Sequence, residues 1–125
     1  MAKYLRAINA TRGTVVCERL EDAGGLAGQS RGLLGRDRLK PEEGMLFEAG
    51  RFAPFMWMHM FFMRFAIDIV FLDRTGTVIK VNGSLKPWRV SSIVPGARRA
   101  LELPAGTAAR TSTAAGDRIV FEDGQ

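Results

Sequence analysis

The apolar positions of the chain fall into short runs separated by turn chemistry. Residues 3–9 and 14–19 read as two strands, and Asn9-Ala10-Thr11-Arg12-Gly13 between them predicts a hairpin. Gly24-Gly25 breaks the pattern. Leu26, Ser30, Leu33 and Leu34 then recur at helical spacing, and Gly35 supplies a stop for that short helix. Lys40-Pro41-Glu42-Glu43-Gly44 is a loop. From Met45 the runs are strand-like: Met45–Phe47, Phe55–Met63, Ile67–Leu72, Val78–Val81, Val90–Val94, Ala100–Leu103 and Arg118–Glu122. Asp73-Arg74-Thr75-Gly76 forms a hairpin turn after Leu72. Thr107 to Ala114 reads as a second short helix, with Thr107 as its N-cap and Gly116 as its stop.

The central runs decide the architecture. Side chains alternate faces along a strand, so Phe55, Trp57, His59, Phe61 and Met63 share one face and Met56, Met58, Met60, Phe62 and Arg64 the other. Both faces are almost wholly apolar, which predicts a strand covered on both sides. The expected fold is mainly β (α+β): a small closed or partly open β-barrel of short strands covered by one or two short helices. The helix at 26–34 is the natural cover for the outer face.

Length and composition are those of one ordinary globular domain over residues 1–125, with 46% hydrophobic and 25% charged residues. The one cysteine, Cys17, excludes an intramolecular disulfide and reads as a small buried apolar residue in a strand. The N-terminus lacks the pattern of a signal peptide, and no run approaches the roughly 20 apolar residues that span a bilayer. A cytoplasmic protein with no membrane partner is expected. The net charge of +5 arises within residues 80–110, where Lys80, Lys86, Arg89, Arg98, Arg99 and Arg110 face Glu102 alone. An anionic partner becomes worth considering.

Few residues carry recognisable chemistry. His59, the single histidine, interrupts an apolar run and needs a hydrogen-bond partner or an opening to solvent. With no cysteine or acidic cluster beside it, no metal site is expected, and no cofactor either. Arg64 and Asp68 flank Phe65-Ala66-Ile67 in apolar surroundings. They suit a mutual ion pair, an Asp68 carboxylate accepting backbone N–H groups, or an Arg64 that holds an anion at a pocket mouth. Arg31 and Arg36 at the predicted helix end are further anion-binding candidates, although the segment lacks the spacing of a phosphate loop. No serine, nor Cys17, lies in a nucleophile-elbow context, so no catalytic residue is assigned. Within residues 80–110 only Trp88 is aromatic, which makes a partial case for single-stranded nucleic acid.

Taken together, the segments resemble a known family. The run Ser30-Arg31-Gly32-Leu33-Leu34-Gly35-Arg36 is followed by Gly44-Met45-Leu46-Phe47, Trp57-Met58-His59 and Phe62 to Asp73. The chain closes with Ala100-Leu101-Glu102-Leu103-Pro104-Ala105-Gly106 and Gly116-Asp117. This combination resembles the domain of unknown function 192 family over about residues 12 to 123. The resemblance implies a small, β-rich bacterial or archaeal protein and no known activity. The family pattern falls on Arg31, Gly32, Gly35, Arg36, His59, Arg64, Asp68, Glu102, Gly106 and Asp117. Two positions depart from it: Ala66 stands where proline is usual, and Met60 where threonine is usual.

The expected function is a non-catalytic binding module for a small anionic ligand or a protein segment, held near His59, Arg64 and Asp68. An enzyme using those three residues, and a nucleic-acid-associated protein using residues 80–110, are the alternatives. The expected state is a monomer or weak dimer.

Overall fold

The computed structural model describes residues 3–24, 38–50, 52–60 and 63–124. The helix predicted at 26–34, with Arg31 and Arg36, lies outside the described residues, as do Phe61 and Phe62. Nine strands are described: β1 (Tyr4–Asn9), β2 (Thr14–Gly24), β3 (Glu43–Glu48), β4 (Phe55–Met56), β5 (Ile67–Leu72), β6 (Val78–Leu85), β7 (Val94–Pro95), β8 (Arg99–Pro104) and β9 (Ile119–Asp123). Seven form one sheet in the order β6-β5-β8-β3-β2-β1-β9, in which only β2 and β3 run parallel; β4 and β7 form a separate two-stranded ribbon.

The large sheet curls until its two edges meet at one end. Thr77 bridges Arg118, the Val78 N–H donates to the Asp117 carbonyl at 2.7 Å, and the Ile119 N–H donates to the Gly76 carbonyl at 2.8 Å. The seam requires glycine at position 76, because φ is +89° and a Cβ would stand 2.7 Å from the Ile119 oxygen. The expected mainly β, partly open barrel is therefore observed. Beside the seam, the Asn9 side chain donates to Thr113 at 3.1 Å and to Asp117 at 3.0 Å, and Asp117 also accepts from Arg12 and from the Ala114 N–H. The Asn9 hydrogen bond, the Ala114 N–H and the nearby Arg12 charge hold the Asp117 carboxyl below the usual carboxylate range.

Two apolar clusters lie on opposite faces of β3, β5 and β8. The barrel interior holds Leu20, Leu46, Val70, Leu72, Leu101 and Leu103. The outer cluster holds Met45, Phe47, Ile67, Ile69 and Phe71. Every residue of β5 is buried: Ile67, Ile69 and Phe71 enter the outer cluster, Val70 and Leu72 the interior, and Asp68 a set of backbone N–H groups. The cover over the outer cluster comes from Met56, Met60, Met63, Val94 and Ala97.

The strand expected over Phe55–Met63 is corrected by this arrangement. Among its described residues only Phe55 and Met56 are paired as strand, His59 adding an isolated bridge to Val90, and those residues are sealed on one side alone. Met56, Met60 and Met63 face the core, whereas Phe55, Trp57 and His59 face solvent. A purely apolar run does not disclose which of its faces another element covers.

The second short helix is also corrected in length and cap. It is α1 (Thr107–Arg110), four residues, with Gly106 at the N-cap position at φ +92°. The Thr107 hydroxyl donates to the Pro104 carbonyl at 2.7 Å instead of capping. The cap comes from β5: Asp68 accepts the Ala108 N–H at 2.8 Å, the Gly106 N–H at 3.2 Å and, from β6, the Ser84 N–H at 2.7 Å.

Candidate binding surface

The ribbon formed by residues 54–60 and 88–96 is the most unusual surface of the molecule. Phe55 pairs with Pro95, Met56 with Val94, and His59 with Val90. Directly opposed residues share a face. Met56 and Val94 point inward, and both are buried. Phe55, Trp57, His59, Val90, Ile93 and Pro95 are all exposed on the outer side. Trp57 is 47% and Ile93 65% exposed, values that leave large apolar side chains wet across one continuous face. The Trp57 and His59 rings lie 6.3 Å apart, as neighbours two residues apart on one face should.

Polar bonds fix the ribbon in place. The Ser91 hydroxyl accepts the Met58 N–H at 2.8 Å and donates to the Ser92 carbonyl at 2.8 Å. The Asn82 side-chain oxygen on β6 accepts the Ser92 N–H at 2.8 Å, which ties the ribbon to the barrel. The Arg98 guanidinium donates to the carbonyls of Ala53 at 2.8 Å and Gly50 at 3.0 Å, holding the loop that leads into β4. An open cleft of about 230 Å³ lies between that loop and β4, lined by Ala49, Gly50, Ala53, Pro54 and Phe55–Met58.

The segments that build the ribbon carry charge of one sign. No aspartate or glutamate lies between Glu48 and Asp68, nor between Asp73 and Glu102. The segments that build the ribbon therefore bring only cations, among them the exposed Arg64, Lys86 and Arg89. The other basic residues of 80–110 are dispersed by the fold. Arg99 pairs with Glu48 at 3.6 Å, Arg98 serves the loop carbonyls, and Arg110 borders a cleft with Glu18 and Glu42.

The sequence-predicted residues occupy different environments. His59 and Arg64 are exposed, His59 on the ribbon and Arg64 before β5. Asp68 is 1% exposed, and its oxygens are engaged by the three backbone N–H groups that hold α1 and β6. Asp68 is thus buried where His59 and Arg64 are exposed. Cys17 is buried as expected, and burial pushes its thiol up to about 11, which disfavours the reactive thiolate. Among the described residues no three His, Cys, Asp or Glu side chains are placed to hold a metal ion, and no helix is long and apolar enough to cross a membrane.

Residues missed in the sequence are Trp57, Val90, Ile93 and Pro95 on the ribbon's outer face. The signal that could have found them is the pair of acid-free stretches, which isolates the segments forming the ribbon.

These features define a small, partly closed β-barrel with an apolar ribbon strapped over one outer face. The chain belongs to the domain of unknown function 192 family, whose model, described as "Uncharacterized ACR", matches residues 7–121. The resemblance seen in the sequence is thus borne out. UPF0127 proteins from Thermococcus sibiricus and Pyrococcus abyssi are similar to it, at 35% identity over 65 residues and 36% over 62 residues. Those matches cover 52% and 50% of this chain and 42% and 52% of the relatives, so the chain spans about half the length of the curated relatives it matches. A solved structure from Sinorhizobium meliloti, described as a candidate transcription regulator, superposes with a TM-score of 0.80 at 27% identity, covering 97% of this chain and 94% of that one. A protein of unknown function from Novosphingobium aromaticivorans shares the fold, with a TM-score of 0.78 at 24% identity over 95% of this chain and 84% of its own.

Proposed function

We propose that this protein is a non-catalytic binding module that docks a protein segment on the outer face of the ribbon and in the cleft beside β4. One observation carries the reading: Phe55, Trp57, Val90, Ile93 and Pro95 stand on one solvent-facing side of a ribbon whose other side buries Met56, Met60 and Val94. Side chains of this kind gain most when a partner removes them from water, at roughly 25 cal/mol per Å² of apolar surface covered. Exposed aromatic residues are also the side chains most enriched where proteins meet.

A small anionic ligand fits less well, because the lining of the cleft is largely apolar. The description of the Sinorhizobium meliloti relative raises a nucleic-acid role. The dispersal of Arg98, Arg99 and Arg110 to separate places argues against a continuous phosphate track.

The reading is tested by selecting binders from a random peptide library on the full chain and on a Trp57→Ser/Ile93→Ser variant. Peptides recovered on the native protein should fail on the variant, while both proteins unfold at similar denaturant concentrations. Recovery of the same peptides on both, or of none on either, would exclude the ribbon as the docking surface.

A further inference from the structure

We infer that the docked segment is acidic and extended, and that it adds as a strand to the edge of β4 that pairs with no described strand. The inference rests on the docking reading above and specifies the chemistry of its partner. It begins with the hydrogen-bond alternation of the ribbon. The Gly96 N–H donates to the Pro54 carbonyl at 3.1 Å, and the Ser91 N–H donates to the Met58 carbonyl at 2.8 Å. In an antiparallel pair, bonded and non-bonded positions alternate. Phe55 therefore sits at a non-bonded position, consistent with its partner Pro95, which has no N–H to give. The backbone groups of Phe55 and Trp57 are directed away from β7, towards the opposite edge.

The cleft lies along that edge. Its described lining comes from residues 49–58 and includes nothing from the β7 side of the ribbon. An extended chain placed there meets backbone donors and acceptors on β4, an apolar recess for one side chain, and the exposed Trp57 ring. Strand addition of this kind takes affinity from main-chain bonds and specificity from alternate side-chain sites.

Charge selects the partner further. The ribbon and its approaches contain cations and no carboxylate between Glu48 and Asp68 or between Asp73 and Glu102. Lys86 and Arg89 stand in the turn entering the ribbon, where the Arg89 N–H donates to the Lys86 carbonyl at 3.3 Å. Aspartate and glutamate flanking the apolar positions of the segment complement this field, and lysine or arginine there is repelled. A nucleic acid or an anionic bilayer also answers the charge. Neither supplies the alternating N–H and C=O groups that the β4 edge can pair.

The test uses peptides recovered by the library selection, resynthesised with N-methyl groups on alternate amides. Methylation in one of the two alternating phases should weaken binding about tenfold, the loss expected when a main-chain bond is removed. Methylation in the other phase should leave it unchanged. The recovered peptides should carry net negative charge, and Arg89→Glu should weaken them about tenfold at low salt and less as salt rises. Trp57-dependent peptides that are neutral or basic, or that tolerate methylation in both phases, overturn strand addition while leaving the docking surface intact. Failure to recover any Trp57-dependent peptide removes both. Trp57-dependent binding of oligothymidylate, or of phosphatidylglycerol vesicles, tighter than that of any peptide also overturns the inference.

Discussion

The barrel seam and the ribbon treat polarity in opposite ways. At the seam and around α1, polar side chains go inside: Asn9, Asp68, Thr111, Thr113 and Asp117 are all buried, and each has hydrogen-bond partners. On the ribbon, apolar side chains go outside: Phe55, Trp57, Val90 and Ile93 meet water. The first choice serves the isolated chain, since matched buried groups fix one closure of the sheet. The second brings the isolated chain no packing in return. It becomes intelligible when another molecule covers the face.

The contrast breaks most visibly at Asp68. Asp68→Ala strands the N–H groups of Ser84, Gly106 and Ala108, and should lower unfolding free energy by about 4 kcal/mol, measured by urea denaturation. A loss near zero would mean that the carboxylate does not hold α1 and β6 together.

Glu102 sharpens the contrast, because it is a buried polar group without the matching seen at the seam. It is 5% exposed, no described residue is seen to donate to its carboxyl, and burial raises its pKa from 4.5 to about 7. Between those two values the folded protein keeps a proton that the unfolded chain has released. Stability therefore falls as pH rises through that window, by about 3 kcal/mol in full, and Glu102 causes no further loss above it. Glu102→Gln should remove this slope and be more stable than the native protein at alkaline pH. Urea midpoints at about pH 5 and about pH 8 decide the matter; equal pH dependence in both proteins would contradict the burial argument.

The smallest expected effect lies on the ribbon. Ile93→Ser should change stability by less than about 0.5 kcal/mol, because the side chain is already 65% exposed. A thermal scan showing a core-like loss would mean that the ribbon's outer face supports the fold directly.

Much of the barrel was legible from the sequence for definite reasons. The Asp73–Gly76 turn announces itself because the Asp73 carboxylate accepts the N–H groups of Thr75 at 2.8 Å and Thr77 at 3.0 Å, a bond pattern local to the chain. The run Ile67–Leu72 was rightly read as a strand, and its unbroken apolar letters do correspond to burial on both faces. The neighbouring run from Phe55 looked the same and was misread, since an apolar side chain pointing to water leaves the same letters as one in a core. The cap on α1 was misplaced at Thr107 because its true donor of acceptor atoms, Asp68, lies 40 positions from Ala108. The role of Asp68 as an acceptor for backbone N–H groups was among the readings available. Its separation from His59 depended on topology that no local pattern records.

The two-sided packing of β5 has a mechanical consequence. Its residues are shared between the barrel interior and the outer cluster, so lifting the ribbon would wet Ile67, Ile69 and Phe71, the same strand whose other side chains anchor the interior. The cover and the barrel are thereby joined in one cooperative unit. A ligand that grips the ribbon would stiffen the whole molecule rather than a surface appendage.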